Sequence, residues 1–401
     1  MSDINRLLSA FDSGELLRPL PKYLNIVDLS KAISGLTESP DYIPSRNSND
    51  LAKIVGPAKH VVLVILDGFG MNVASPAYGA GFLSGNIKAE LHTVFPSTTP
   101  TVLTSYCTGL WPIQHGVPGW DLFLEEIDSV ATIIKFMRRC DDTALESLGI
   151  KTSQAYPVPS MIPQMGRDIS GVIPDSIAMT PYSRYWRGDT DYYGYTKVKD
   201  GIDAIINRLQ KADTATFTHM YVSDIDTAAH EYGIAHDMLK EEISRIDSQL
   251  ARLSESIPTD TVIVISADHG LLNSDEKIHQ IEPTSELAKC LSKEPWGTGR
   301  CTIFQVSQDL GNRFEECFRQ DIGEDFYLLK TDEVLDLELL GPAPVSQSTI
   351  RRLGNYFCIS TGAPVINYKY PKINYEERKS LASHGGLSPD EILVPMIVVR
   401  S

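Results

Sequence analysis

No Cys-x-x-Cys pair occurs among the six cysteines, Cys107, Cys140, Cys290, Cys301, Cys317 and Cys358, which removes zinc-ribbon and dithiol redox chemistry from consideration. Thiols scattered this widely along a long chain are expected to be reduced and buried, as in a cytoplasmic protein. No run approaches the roughly 20 apolar residues that span a bilayer. The N-terminus also lacks the unbroken apolar stretch of a secretory signal, being interrupted by Asp3, Arg6, Asp12 and Glu15. No membrane partner is therefore expected. Cations are scarce as well: 36 Lys and Arg stand against 52 Asp and Glu, a formal charge of -16. Such a surface repels a nucleic-acid polymer, whose binding depends on neutralising phosphates. A small anion can still be held where metal ions reverse the sign locally. Repeats and low-complexity tracts are missing too, and nothing in the composition speaks to oligomeric state.

What the chain does contain is a set of short apolar runs that stop on acidic or polar residues. VVLVILDGFG halts on Asp67, ATFTHMYVS precedes Asp226, and TVIVISAD ends on Asp268. A helical stretch from His236 to Leu253 separates the last two, and ILVPMIVV closes the chain. Strand and helix in alternation predict an α/β fold with a mostly parallel central sheet covered by helices on both faces. Ligands bind beyond the carboxyl ends of such strands, where Asp67 and Asp268 fall. Residues 1–55 are expected to be an N-terminal helical extension and 56–401 the catalytic domain. Two segments, about 119–210 and 275–380, are longer than ordinary crossovers and are expected to be insertions forming a cap. The first carries the aromatic cluster PYSRYWRGDTDYYGY.

The chemistry-bearing residues concentrate at these strand ends. In Asp226-Thr-Ala-Ala-His230 the two ligands are four residues apart, so a helical turn places them on one face. Asp268 and His269 are adjacent and can point to different sides of a site. His384 follows in SHGGLSPDE, and Thr99 in FPSTTPT offers a hydroxyl at a helix start. Mixed imidazole and carboxylate ligands suit divalent zinc, with manganese as a substitute. Each signal alone reads as an ordinary cap or surface residue; their coincidence at strand ends points to two divalent ions and phosphoryl transfer. His115 is expected to orient a ligand from behind. Gly68-Phe69-Gly70-Met71-Asn72-Val73 imitates a dinucleotide fingerprint, but it ends on Val73 and follows the charge of Asp67.

LDGFG, FPSTTPT with TGLWPIQHGV, DIDTAAHEYG, SADHG and SHGG, in this order, resemble the alkaline phosphatase superfamily. Within it the chain is most similar to the type I phosphodiesterase/nucleotide pyrophosphatase family, over about 58–120, 215–275 and 380–400. The resemblance implies an alkaline-phosphatase-like sandwich with an inserted cap. It implies one zinc held by Asp226, His230 and His384 and another by Asp67, Asp268 and His269. Thr99 would be the nucleophile bound to the second ion, passing through a phosphothreonine. The substrate would be a small phosphodiester or nucleotide, with Trp120, Tyr185 and Trp186 against its organic part. A phosphomonoesterase of the same superfamily and a non-catalytic regulatory relative are the alternatives. A sulfatase is excluded, because PSTTPT lacks the CxPxR context that such enzymes need.

Overall fold

The computed structural model describes residues 2–40, 42–274, 277–370 and 380–401. Its centre is a seven-stranded sheet in the order Ile87–His92, Leu393–Arg400, Thr261–Ser266, His60–Leu66, Thr216–Val222, Asp168–Pro174 and Asp191–Tyr195. The five strands from Thr261–Ser266 to Asp191–Tyr195 are mutually parallel, whereas Leu393–Arg400 runs against both of its neighbours. His60–Leu66 and Thr261–Ser266 are buried at every position. That is why they read as unbroken apolar runs: a parallel strand covered on both faces has no solvent side on which to alternate.

A second seven-stranded sheet lies alongside, antiparallel throughout, in the order Phe326–Lys330, Tyr356–Ser360, Cys301–Phe304, Trp296–Thr298, Asp121–Leu124, Ser129–Thr132 and Met137–Arg138. Both expected insertions contribute to it, joined where Gly297 pairs with Asp121. The boundaries expected for the first insertion need correction. Asp168–Pro174 and Asp191–Tyr195 belong to the central sheet, and the helix Val198–Lys211 packs on it, so the inserted part stops before residue 168. The tyrosine-rich stretch misled because Tyr182, Trp186 and Tyr195 are buried in the interior rather than set on a separate lid, while Tyr192 and Tyr193 are exposed. Within the second expected insertion, residues 275, 276 and 371–379 lie outside the described residues.

The first 55 residues form three helices, Asp3–Ser13, Ile26–Leu36 and Arg46–Val55. Asn25 caps the second by accepting from the Asp28 N–H, and Ser45 caps the third in a reciprocal box with Ser48. Leu7, Leu29 and Leu51 are fully buried in the same hydrophobic cluster as the central strands. At roughly 1.5–3 kcal/mol per buried leucine side chain, these contacts make the extension a buttress. Ile26–Leu36 lies against the helix Thr99–Thr108, and Ser30 donates its hydroxyl proton to the Tyr106 carbonyl.

All six cysteines are free, five of them buried. Among the described residues no helix is long and apolar enough to cross a membrane.

Candidate metal centre

Pairing register brings the ligands together. His60 lies opposite both Thr216 and Thr261, so three neighbouring strands run in step: Leu66 ends opposite Val222, and Ser266 ends opposite Ile65, one residue short. Asp67 follows the first strand, Asp226 sits in the first turn of the helix Asp224–Tyr232 after the second, and Asp268 follows the third. Backbone bonds lock the junction: the Asp67 N–H donates to the Val222 carbonyl at 2.9 Å, and the Asp226 N–H to the Asp67 carbonyl at 3.1 Å. Gly68 is required here. Its φ is +77°, and a Cβ on it would meet Leu271 Cδ1 at 2.7 Å and Asp226 Cα at 3.2 Å.

Three histidines face the carboxylates in a common orientation. Nδ1 of His230, His269 and His384 lies 2.9, 3.1 and 3.0 Å from the carbonyls of Ala382, Gly270 and Ser97 respectively. A carbonyl only accepts, so each Nδ1 carries a proton, and in the neutral imidazole Nε2 then keeps a lone pair. Those lone pairs point at acceptors. His230 Nε2 is 3.2 Å and His384 Nε2 4.0 Å from Asp226 Oδ1. His269 Nε2 is 3.4 Å from Asp67 Oδ1 and 3.6 Å from Asp268 Oδ2. The rings of His269 and His384 stack at 3.7 Å.

Three oxygens in this cluster, Asp67 Oδ1, Asp226 Oδ1 and Asp268 Oδ2, are buried and have no hydrogen-bond donor. Burial, reinforced by the charges of Asp268 and Asp226, holds the Asp67 carboxyl well above the usual carboxylate range. Burial likewise raises Asp268, and burial pushes the His384 imidazole well below its usual range. A buried set made only of acceptors is strongly unfavourable by itself, and cations are the partner it fits. Two trios have all donor atoms within 4.8 Å of one another: Asp67, Asp268 and His269, and Asp226, His269 and His384. His269 thus stands in both. His230, expected with Asp226 and His384, reaches Asp226 but lies outside the compact trio.

Thr99 is the first residue of the ten-residue helix Thr99–Thr108, and its Oγ1 is 3.3 Å from His269 Nε2. The hydroxyl therefore opens onto the carboxylate cluster from the positive end of a helix dipole. A cavity of about 1270 Å³ lies over it, walled by Ile173, Ile177, Trp186 and Met220 and by Trp120 at the metal side.

Two expectations need correction. Tyr185 does not line the cavity; its ring stacks on Tyr156 at 4.6 Å and its hydroxyl donates to the Val158 carbonyl at 2.7 Å. His115 touches no ligand. Its Nδ1 accepts from the Val117 N–H at 3.2 Å, which leaves the Nε2 proton for Ser105 Oγ at 3.0 Å. Sequence reading missed Tyr221, whose hydroxyl donates to Asp67 Oδ2. Period-two reading of THMYVS would have put it on one face with His219, and both line the cavity. It also missed the buried pair Arg300–Glu391, bonded at 2.6 and 2.9 Å. Glu391 Oε1 further accepts from the Gly386 N–H at 2.7 Å, fixing the loop that carries His384.

Comparison with protein families matches residues 61–302 to the type I phosphodiesterase / nucleotide pyrophosphatase family, more than half of the chain. The chain belongs to that family. It is accordingly an enzyme of phosphoester hydrolysis within the alkaline phosphatase superfamily, and its Asp and His groups suit a family that is typically dependent on divalent metals. Comparison with curated proteins gave no match. Among solved structures, murine ectonucleotide pyrophosphatase / phosphodiesterase 5 is 15% identical, with a TM-score of 0.60 over 84% of this chain and 87% of that one. An inactive variant of the same mouse protein in complex with AMP is 16% identical at 0.60, with the same coverage. Phosphonoacetate hydrolase from Sinorhizobium meliloti in complex with phosphonoformate is 17% identical, with a TM-score of 0.62 over 86% and 90%. At these identities the likeness establishes the shared fold of this type I phosphodiesterase family member.

Proposed function

We propose that this chain hydrolyses phosphodiester or pyrophosphate bonds of small substrates, with Thr99 as nucleophile and two divalent ions in the aspartate and histidine cradle. The observation that carries the proposal is the set of three buried, donorless carboxylate oxygens around a threonine hydroxyl. Asp226, His230 and His384 would hold one ion, and Asp67, Asp268, His269 and Thr99 the other. Zinc suits the imidazole and carboxylate mixture, with manganese as a substitute. Bound there, divalent ions supply charge that favours the Thr99 alkoxide and offsets the anionic transition state.

The chain's own residues do the rest. The carbonyls behind His230, His269 and His384 keep each Nε2 turned inward and basic. Thr99 Oγ1 attacks phosphorus in line with the departing oxygen and becomes a phosphothreonine; water then displaces Thr99 from phosphorus. Two inversions leave the configuration unchanged. Trp120 and Trp186 flank the organic part of the substrate in the cavity. The relatives in complex with AMP and with phosphonoformate favour a small nucleotide or phosphonate-like ligand over a polymer. Six free thiols support a cytoplasmic location.

Turnover of bis(p-nitrophenyl) phosphate against p-nitrophenyl phosphate tests this reading. The diester is expected to be the better substrate, and Thr99→Ala to lower its turnover about 10²-fold or more with ion content unchanged. Near-normal activity in that variant would refute the assignment. A faster monoester would favour the phosphomonoesterase reading, to which Lys135 at the cavity wall offers the extra cation.

A further inference from the structure

A second cavity, about 810 Å³, opens beside the metal cradle, between the second sheet and the two-stranded ribbon of Ile278–Ile281 and Val365–Tyr368. Trp120, His230, Ser380 and His384 line both cavities. Thr99 faces the first and Thr98 the second, so the start of the nucleophile helix separates them. A phosphoryl group held at the cradle would therefore direct one substituent into each.

The chemistry of the second cavity differs from that of the first. In the parallel ribbon of Ile278–Ile281 and Val365–Tyr368, Gln280 and Asn367 are in register, and both line the cavity. Residues in register share a face. The two amides thus form an adjacent pair, and neither side chain takes part in a hydrogen bond with the described residues. Two aromatic residues also line the cavity: Tyr368, and Trp296, whose indole N–H is fixed on the Arg352 carbonyl at 2.9 Å. The formal charges in the wall are matched internally. Arg139 is 3.2 Å from Asp121, and Arg300 is bound through two nitrogens to Glu391. Arg300 Nη1 has no acceptor but is buried; both arginines already face a carboxylate, and an alkyl chain would strip water from two amides without replacing it.

We propose that this second cavity is a subsite for one of the two substituents on phosphorus, and that it takes an uncharged polar ring presenting neighbouring donor and acceptor atoms, as glycosyl and nucleoside groups do. The amide pair reads the donor and acceptor edge, and the aromatic walls hold the ring face. The inference deepens the phosphodiesterase reading by naming one arm of its substrate, but ring binding itself needs no turnover.

The test uses the full-length protein and the double variant Gln280→Ala/Asn367→Ala, both positions being at least partly exposed and outside the catalytic machinery. Saturation-transfer NMR with thymidine and with methyl glucoside, each alone, distinguishes the two ring types. The unsubstituted protein is expected to bind at least one of them, and the double variant to lose that signal. In hydrolysis, the variant should lose about 10-fold or more in kcat/KM, through KM, on the p-nitrophenyl ester of thymidine monophosphate or of a sugar phosphate, matching the ring bound. On methyl p-nitrophenyl phosphate it should stay within about 2-fold of the unsubstituted protein. Failure of both rings to bind the unsubstituted protein, or equal binding by the variant, overturns the subsite. Ring binding that the variant loses, in a protein that hydrolyses no diester, supports the subsite and overturns the phosphodiesterase reading.

Discussion

The ends of the parallel strands line the first cavity and the antiparallel second sheet lines the second, and the two regions are built in opposite ways. At the strand ends, each ligand is placed by the few residues around it: a buried run stops, and the next side chain is Asp67 or nearly Asp268. In the second sheet, Asp121–Leu124 finds its partner in Trp296–Thr298, far away in sequence. The first region supplies reacting groups, and the second supplies walls and a brace for the loop that holds His384. Chemistry here is local and shape is non-local.

That division can be broken most severely at the brace. Arg300 comes from the turn between two strands of the second sheet, Glu391 from the short helix Pro389–Ile392 that follows the loop holding His384, and both are almost completely buried. Removing one partner of such a pair leaves an uncompensated charge, so Arg300→Met is expected to cost about 3–5 kcal/mol in chemical denaturation. An unchanged midpoint would mean that the second sheet does not support the cradle. Tyr221→Phe probes the cradle from the central-sheet side. Losing the donor to Asp67 should weaken divalent-ion affinity by about 10–100-fold, read by competition with a chelator; an unaltered affinity would remove Tyr221 from the support of that ligand.

His115 sits at the joint between the regions, bonded to the nucleophile helix through Ser105 and next to Gly116, whose carbonyl accepts from Arg352. Burial depresses its pKa to about 3, so the folded protein keeps it neutral while the unfolded chain protonates it near 6.5. Below pH 6.5 the unfolded state binds more protons, and the stability is lost progressively down to about pH 3. His115→Asn should flatten that loss by about 2 kcal/mol at pH 5, measured by denaturation across the window; parallel curves for the two proteins would contradict it. The smallest expected effect is Ser30→Ala, about 1 kcal/mol. It removes the hydroxyl that ties the N-terminal helices to the Tyr106 carbonyl, and it should leave ion affinity unchanged if the extension is only a buttress.

The same division explains what the sequence disclosed. That Asp67, Asp226, His230, Asp268 and His384 lie near one another was legible from strand ends, an i, i+4 spacing and a glycine-flanked loop taken together. The parallel sheet was legible because burial on both faces erases alternation. The shape of the cap was not, since nothing in residues 119–165 announces a partner near residue 297. Tyr185 was misplaced because aromatic clustering says that rings pack together without saying which of them face a void. Tyr221 was overlooked because a tyrosine in a buried strand looks like core until the carboxylate beside it is known.

An acceptor-only cluster of this kind should hold two divalent ions. Counting ions bound per chain by mass spectrometry under native conditions, for the unsubstituted protein and for Asp67→Ala and Asp226→Ala, tests it most directly. Two ions are expected in the unsubstituted protein and one in each variant. A chain that binds none, or variants that bind as many as the unsubstituted protein, would contradict it.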